Sequence, residues 1–272
     1  MDKTTFTLKN LNLMFFLIMI TVNMLANVLP LGHGNTGDIS NKYPNLFTPA
    51  PMTFAIWGVI YVLILYFIMY QYGWLDNHMF SESFVNLIGC WFIISCIMNV
   101  GWIFSWHYEN IALSMVFMIG LLISLIMITR HLRPDYIYQE TAVHSIPMLA
   151  KIATYAFDIY IGWITAATIA NVSVLLVKLN WTRLGLSSEF WTIVVIIAGA
   201  IIGMLFMIVS QKYLSTLSII WAYCGILVKH ISSNGYGGEY PIIIISTIIA
   251  IFIMLCLMII RFLINMNGLW KY

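Results

Sequence analysis

Apolar residues along this chain do not alternate with polar ones; they run in blocks of about 20, separated by short polar breaks. A helix rising 1.5 Å per residue crosses the hydrocarbon core of a bilayer in about that length. The pattern predicts spans at roughly residues 11–31, 54–73, 84–105, 110–129, 153–177, 189–210, 213–230 and 241–265. The expected fold is all-α, a polytopic transmembrane helix bundle of about eight spans. The seventh span is short, and Lys212 and Lys229 bracket it where they can snorkel to opposite interfaces. Two polar stretches stand out: 32–52, rich in Gly, Asn and Pro, and 130–152, which holds Arg130, Arg133 and Lys151.

Composition agrees. The 272 residues are 62% hydrophobic and 8% charged, against about 25% charged in soluble domains. Mean hydropathy is +0.94, so the solvent for this surface is lipid. Net charge is +2 and the Lys and Arg are scattered, which leaves no electrostatic footprint for nucleic acid. Cys90, Cys96, Cys224 and Cys256 fall inside apolar runs and read as packing residues. The first apolar stretch is long for a signal peptide and no A-x-A site follows, so it is expected to stay as a span. With eight spans, one side collects Lys3, Lys9, Arg130, Arg133, Lys151, Lys212, Arg261 and Lys271; the other collects Lys42, Lys178, Arg183 and Lys229. That asymmetry places both termini in the cytoplasm and the 32–52 loop outside.

Candidate chemistry lies in the aromatic residues. In "TPAPMTFAIWGVIY" Pro49 and Pro51 precede the second span, where proline is tolerated in a first turn. Phe54, Trp57 and Tyr61 then recur at i, i+3 and i+7 on one face, descending about 10 Å instead of clustering at one depth. Trp91, Trp102 and Trp106 share an arc of the third span with Asn99 on the same broad face, and Tyr160, Trp163, Ala167 and Asn171 share one on the fifth. An unpaired amide in hydrocarbon costs a few kcal/mol, so Asn23, Asn27, Asn99 and Asn171 must face protein, water or ligand. Each stripe alone is compatible with packing. Three stripes of broad rings with a few polar groups describe a small-molecule pocket.

These residues resemble the translocator protein / tryptophan-rich sensory protein family (TspO/MBR). "TPAPMTFAIWGVIYVL" is similar to its second-helix signature, "NVGWIFSWHYENIALS" to its third-helix Asn-x-x-Trp segment, and "GWITAATIANVSVLLVKLNW" to its fifth-helix Trp-to-Asn segment. The likeness runs in order over roughly residues 11–182. It implies a five-helix domain at 1–182 with a further three-helix segment at 183–272, and a bundle that binds tetrapyrrole- or sterol-like flat ligands. Carried onto this chain, the lining would be Phe54, Trp57, Tyr61, Asn99, Trp102, Trp106, Trp163 and Asn171. The lid would be the 32–52 loop with Tyr43, Phe47, Pro49 and Pro51. The chain departs from the family in lacking a lid tryptophan and in its three added spans. In those, Gly199 and Gly203 form a close-packing motif, and Trp191 and Trp221 are expected as interfacial anchors. The segment's expected role is structural or oligomeric, which admits a homodimer.

Asp158 is the one acid expected inside a span. With His144 and Lys151 it is spaced by sevens, which suggests either a hydrated vestibule or an interfacial acid paired with Lys151. No H-E-x-x-H, phosphate loop or Cys–His pair is present, so neither covalent catalysis nor a metal or cofactor is expected; a porphyrin is expected only as a ligand. Porphyrin breakdown is the one chemistry the resemblance leaves open. The leading expectation is a binding or sensory protein in a bacterial plasma membrane, partnered by the bilayer and a flat hydrophobic small molecule. The alternative is a secondary transporter of such a molecule.

Overall fold

The computed structural model describes residues 3–29, 32, 34–75, 79–141 and 146–266. Its long helices are α1 (Lys3–Val28), α3 (Ile56–Gln71), α5 (Trp91–His107), α6 (Ile111–His131), α8 (Met148–Lys178), α9 (Ser188–Ser210), α10 (Tyr213–Ile231) and α11 (Pro241–Met266). Shorter ones are α2 (Thr36–Asn41), α4 (Met79–Ile88) and α7 (Pro134–Thr141), with a 3₁₀ turn at Pro51–Ala55 leading into α3. No strand occurs among the described residues. Among the described residues seven helices are long and apolar enough to cross a membrane, or eight if α4 and α5, a bent pair, count as one span.

Local chemistry sets the helix ends. Asn35 caps α2 by accepting from the amides of Gly37 and Asp38, and Asp38 accepts in return from the Asn35 amide. Pro51 opens the 3₁₀ turn, where its missing N–H leaves nothing unsatisfied. Ser187 caps α9 through the Phe190 amide at 3.1 Å. The third span is not the continuous helix that its hydropathy predicts. It bends by 56° between α4 and α5, where Gly89 adopts φ +55°, a backbone conformation that favours glycine.

Helices α1, α3, α8, α6 and α5 pack pairwise into a closed ring of five. Helix α10 lies outside the ring against α8, with α9 and α11 packed on it in turn. This explains the weak hydropathy of the seventh span. Of its most apolar window 56% is buried inside the protein, against 22% for α11, so α10 needs less lipophilic surface. The approach to α8 is close enough that a Cβ on Gly162 would run into the backbone of Ser215. Gly199 and Gly203 of α9 serve the same purpose, facing Tyr223 of α10 and Met254 of α11.

At the end of the ring away from the 32–52 loop, Phe67, Phe84, Phe92 and Phe157 fill the interior. The Phe67 ring lies 5.1 Å from Phe157 and 5.2 Å from Phe92. All four are fully buried. The loop end holds Trp57, Trp102, Trp106 and Trp163.

Asp158 pairs with Lys212 at 2.5 Å instead of with the exposed Lys151. The reason is the fold of α10: its first turn lies against α8, and Ser215 donates to the Asp158 carbonyl at 2.7 Å. His144, the third member of that stripe, lies outside the described residues. Trp221, expected as an interfacial anchor, sits in the middle of α10, where its indole N–H donates to the Thr53 carbonyl.

Candidate ligand-binding site

The helical phase of α3 and α5 brings four rings into one continuous stack. Tyr61 lies on Trp57 (5.6 Å, 23°), Trp57 on Trp102 (5.9 Å, 30°) and Trp102 on Trp106 (5.8 Å, 26°). From α8, Tyr160 and Trp163 meet Trp57 edge-on at 5.7 and 6.2 Å, and Phe54 meets Trp163 edge-on at 5.8 Å. Trp57 is the hub: it touches four other aromatic rings. The geometries are the offset and T-shaped ones that the ring quadrupole favours.

Two cavities flank this stack. The first, about 500 Å³ including its mouth, is lined by Phe54, Trp57, Trp102, Trp106, Trp163 and Asn171 with the small Ala166, Ala167 and Ala170 of α8. Ser40, Phe47 and Pro49 of the loop and Ala222 and Ile226 of α10 complete it. The second, about 650 Å³ by the same measure, lies between α1, α3, α5 and the loop. Asn23, Asn27, Asn35, Thr36, Tyr61 and Ile103 line it, again with Phe54 and Trp57. Phe54 and Trp57 therefore border both.

Hydrogen bonds fix the polar members. Asn23 donates to Asn99 Oδ1 at 2.7 Å, and Asn99 donates to the Tyr160 hydroxyl at 2.9 Å. Trp102 donates to Asn171 Oδ1 at 3.1 Å, and Asn171 donates to Ser114 at 3.2 Å. Trp106 donates to the Thr36 carbonyl at 3.1 Å. Among the described residues two buried groups in the cavity walls have no acceptor in hydrogen-bond geometry: Trp163 Nε1, and the Tyr61 hydroxyl beside the Asn99 amide. A buried donor without an acceptor is costly unless something else supplies one.

The loop is fastened on both flanks. Towards α5, Lys42 pairs with Glu109 at 2.6 Å and Tyr43 donates to the same carboxylate at 3.0 Å. Burial, and then that carboxylate, raise the Tyr43 phenol above its usual range. Lys178 reaches the Glu109 carbonyl. Towards α10, the Ala50 amide donates to Gly225 O at 3.0 Å, Trp221 Nε1 to Thr53 O at 2.8 Å, and the Tyr236 hydroxyl to Asn45 O at 3.0 Å. His230 Nε2 donates to Leu46 O at 2.9 Å, since a carbonyl can only accept. Asn45 itself forms a turn by accepting from the Phe47 and Thr48 amides.

Of the eight lining residues expected from sequence, six border the first cavity, Phe54, Trp57 and Tyr61 border the second, and Asn99 borders neither. Asn99 is occupied by Asn23 and Tyr160 instead. Of the four lid residues, Phe47 and Pro49 face the first cavity and Pro51 the second, while Tyr43 acts through Glu109. Lys151 and Asp158 border neither cavity. Sequence reasoning did not assign Ala222 and Ile226 to the lining. Nothing distinguishes them from other apolar residues of a span.

The fold and site together define an integral membrane helical bundle with an aromatic interior under a fastened loop. A family model described as TSPO-like protein matches residues 9–260, and the chain belongs to that family. The match runs through α9 and α10 and most of α11 as well as the first five spans. No curated protein and no solved structure matches the chain.

Proposed function

We propose that the protein binds a flat, largely apolar small molecule, tetrapyrrole- or sterol-like, against the tryptophan stack, and acts by sensing or holding it. Membership of a family of membrane sensory and binding proteins supports this reading. The observation that carries it is Trp57, held between Tyr61 and Trp102 and bordering both cavities. An aromatic contact adds about 0.5–1.5 kcal/mol per ring pair beyond area burial, through the ring edges and end faces that the stack leaves open. The plug of four phenylalanines at the far end favours a closed pocket over a path through the bundle. The test is titration of the purified full chain with porphyrins and sterols, following tryptophan quenching. Trp57→Leu and Trp102→Leu should each weaken the ligand found at least tenfold; unchanged affinity in both would refute the site. Accumulation of that ligand in proteoliposomes under an ion gradient would point to transport instead.

A further inference from the structure

The two cavities differ in chemistry. The first is apolar apart from Asn171, Ser40 and the Trp163 N–H, while the second gathers three asparagines, Thr36 and Tyr61. Yet among the described residues neither lining contains a Lys, Arg, His, Asp or Glu. The nearby cations of the loop end are engaged elsewhere: Lys42 by Glu109, Lys178 by the Glu109 carbonyl and Lys229 by Asn41 at 3.0 Å. A carboxylate or phosphate carried inside would lose hydration and gain no counter-ion, a penalty that excludes it from a low-dielectric interior.

We infer that the second cavity is a hydrogen-bonding subsite for the uncharged polar group of an amphipathic ligand whose flat body lies in the first, against Phe54 and Trp57. This rests on the stacking reading above and narrows it to neutral ligands. The buried Tyr61 hydroxyl has no acceptor of its own, and it borders the second cavity. A ligand carbonyl, ester or hydroxyl would give it one. The Asn23 and Asn27 side chains of α1 border the same cavity. Their N–H groups already donate, to Met19 O and Asn99 for Asn23 and to Asn23 O for Asn27. Their carbonyl oxygens are what they offer to a ligand hydroxyl or amide.

Three porphyrins with one flat core test this on the full-length protein in nanodiscs at neutral pH. They are protoporphyrin IX, a dicarboxylate; its dimethyl ester, neutral with carbonyl acceptors; and etioporphyrin, neutral with alkyl groups only. The ester should bind tightest, about tenfold tighter than etioporphyrin, the worth of one or two neutral hydrogen bonds. The free acid should bind at least tenfold more weakly than the ester. Tyr61→Phe, which deletes one oxygen and keeps the ring in the stack, should weaken the ester several-fold more than it weakens etioporphyrin. Equal affinity for acid and ester, or a Tyr61→Phe loss shared equally by etioporphyrin, overturns the inference while the stacking site stands. If none of the three binds, the stacking reading falls first and this inference with it.

Discussion

The Trp221 indole donates its proton to the carbonyl of Thr53 across 2.8 Å, joining the middle of α10 to the turn that starts α3. The two residues are 168 positions apart. Beside them Gly225 has no room for a Cβ, which would strike the Thr53 hydroxyl. Helix α10 is therefore both a wall of the first cavity and the anchor of the loop that covers it.

Trp221→Phe keeps the ring and removes one donor. The Thr53 carbonyl, which also accepts from the Ile56 amide, loses one of its donors, at a cost of about 0.5–1.5 kcal/mol for one net hydrogen bond. Because that bond holds only one edge of the loop, the helices should remain folded. Hydrogen exchange should quicken at residues 45–55 while α3 and α5 stay protected, and ligand affinity should fall a few-fold. Uniform loss of protection would show that Trp221 supports the whole bundle instead.

Much of this arrangement was legible in the sequence, for a definite reason. Helical periodicity states which side chains share a face, so the Phe54, Trp57 and Tyr61 stripe and the Trp102 and Trp106 arc were readable, as were the eight spans. Periodicity does not state what that face meets. Asn99 lies on the right face of α5 but is taken by Asn23 and Tyr160, contacts made 76 and 61 residues away. Ala222 and Ile226 line the cavity only because α10 docks on α8. The signal for that docking, Gly162 and the small residues around it, marks close approach without naming the partner. The bend at Gly89 was hidden because one glycine in an apolar run is common in spans.

The Asn23–Asn99–Tyr160 chain links α1, α5 and α8 beneath the stack. Asn99→Leu removes an acceptor and a donor at once: the Asn23 amide keeps only its bond to Met19 O, and the Tyr160 hydroxyl loses its donor. Interhelical hydrogen bonds in membranes average about 0.6 kcal/mol, up to about 1.7. Losing two of them and leaving one group unpaired should cost about 1–3 kcal/mol. The loss should appear as a lower melting temperature in detergent. Affinity should change little, since Asn99 borders neither cavity. A change in affinity exceeding tenfold at unchanged stability would place it in the site after all.

The Asp158–Lys212 pair separates stability from binding most cleanly. Its side chains are 14% and 11% exposed, and at 2.5 Å they lock the first turn of α10 to α8. Removing one partner leaves the other charge buried alone, which costs about 3–5 kcal/mol. Replacing both with apolar residues removes the uncompensated charge, so Asp158→Leu with Lys212→Met should recover most of that loss. Asp158→Asn alone should lower the melting temperature markedly, yet leave Kd for the ligand within about twofold, because neither residue borders a cavity. Melting curves and titrations on the two single variants and the double variant measure both quantities. Stability unchanged in Asp158→Asn, with affinity collapsed, would mean that the acid serves a water-filled vestibule and not the α8–α10 contact.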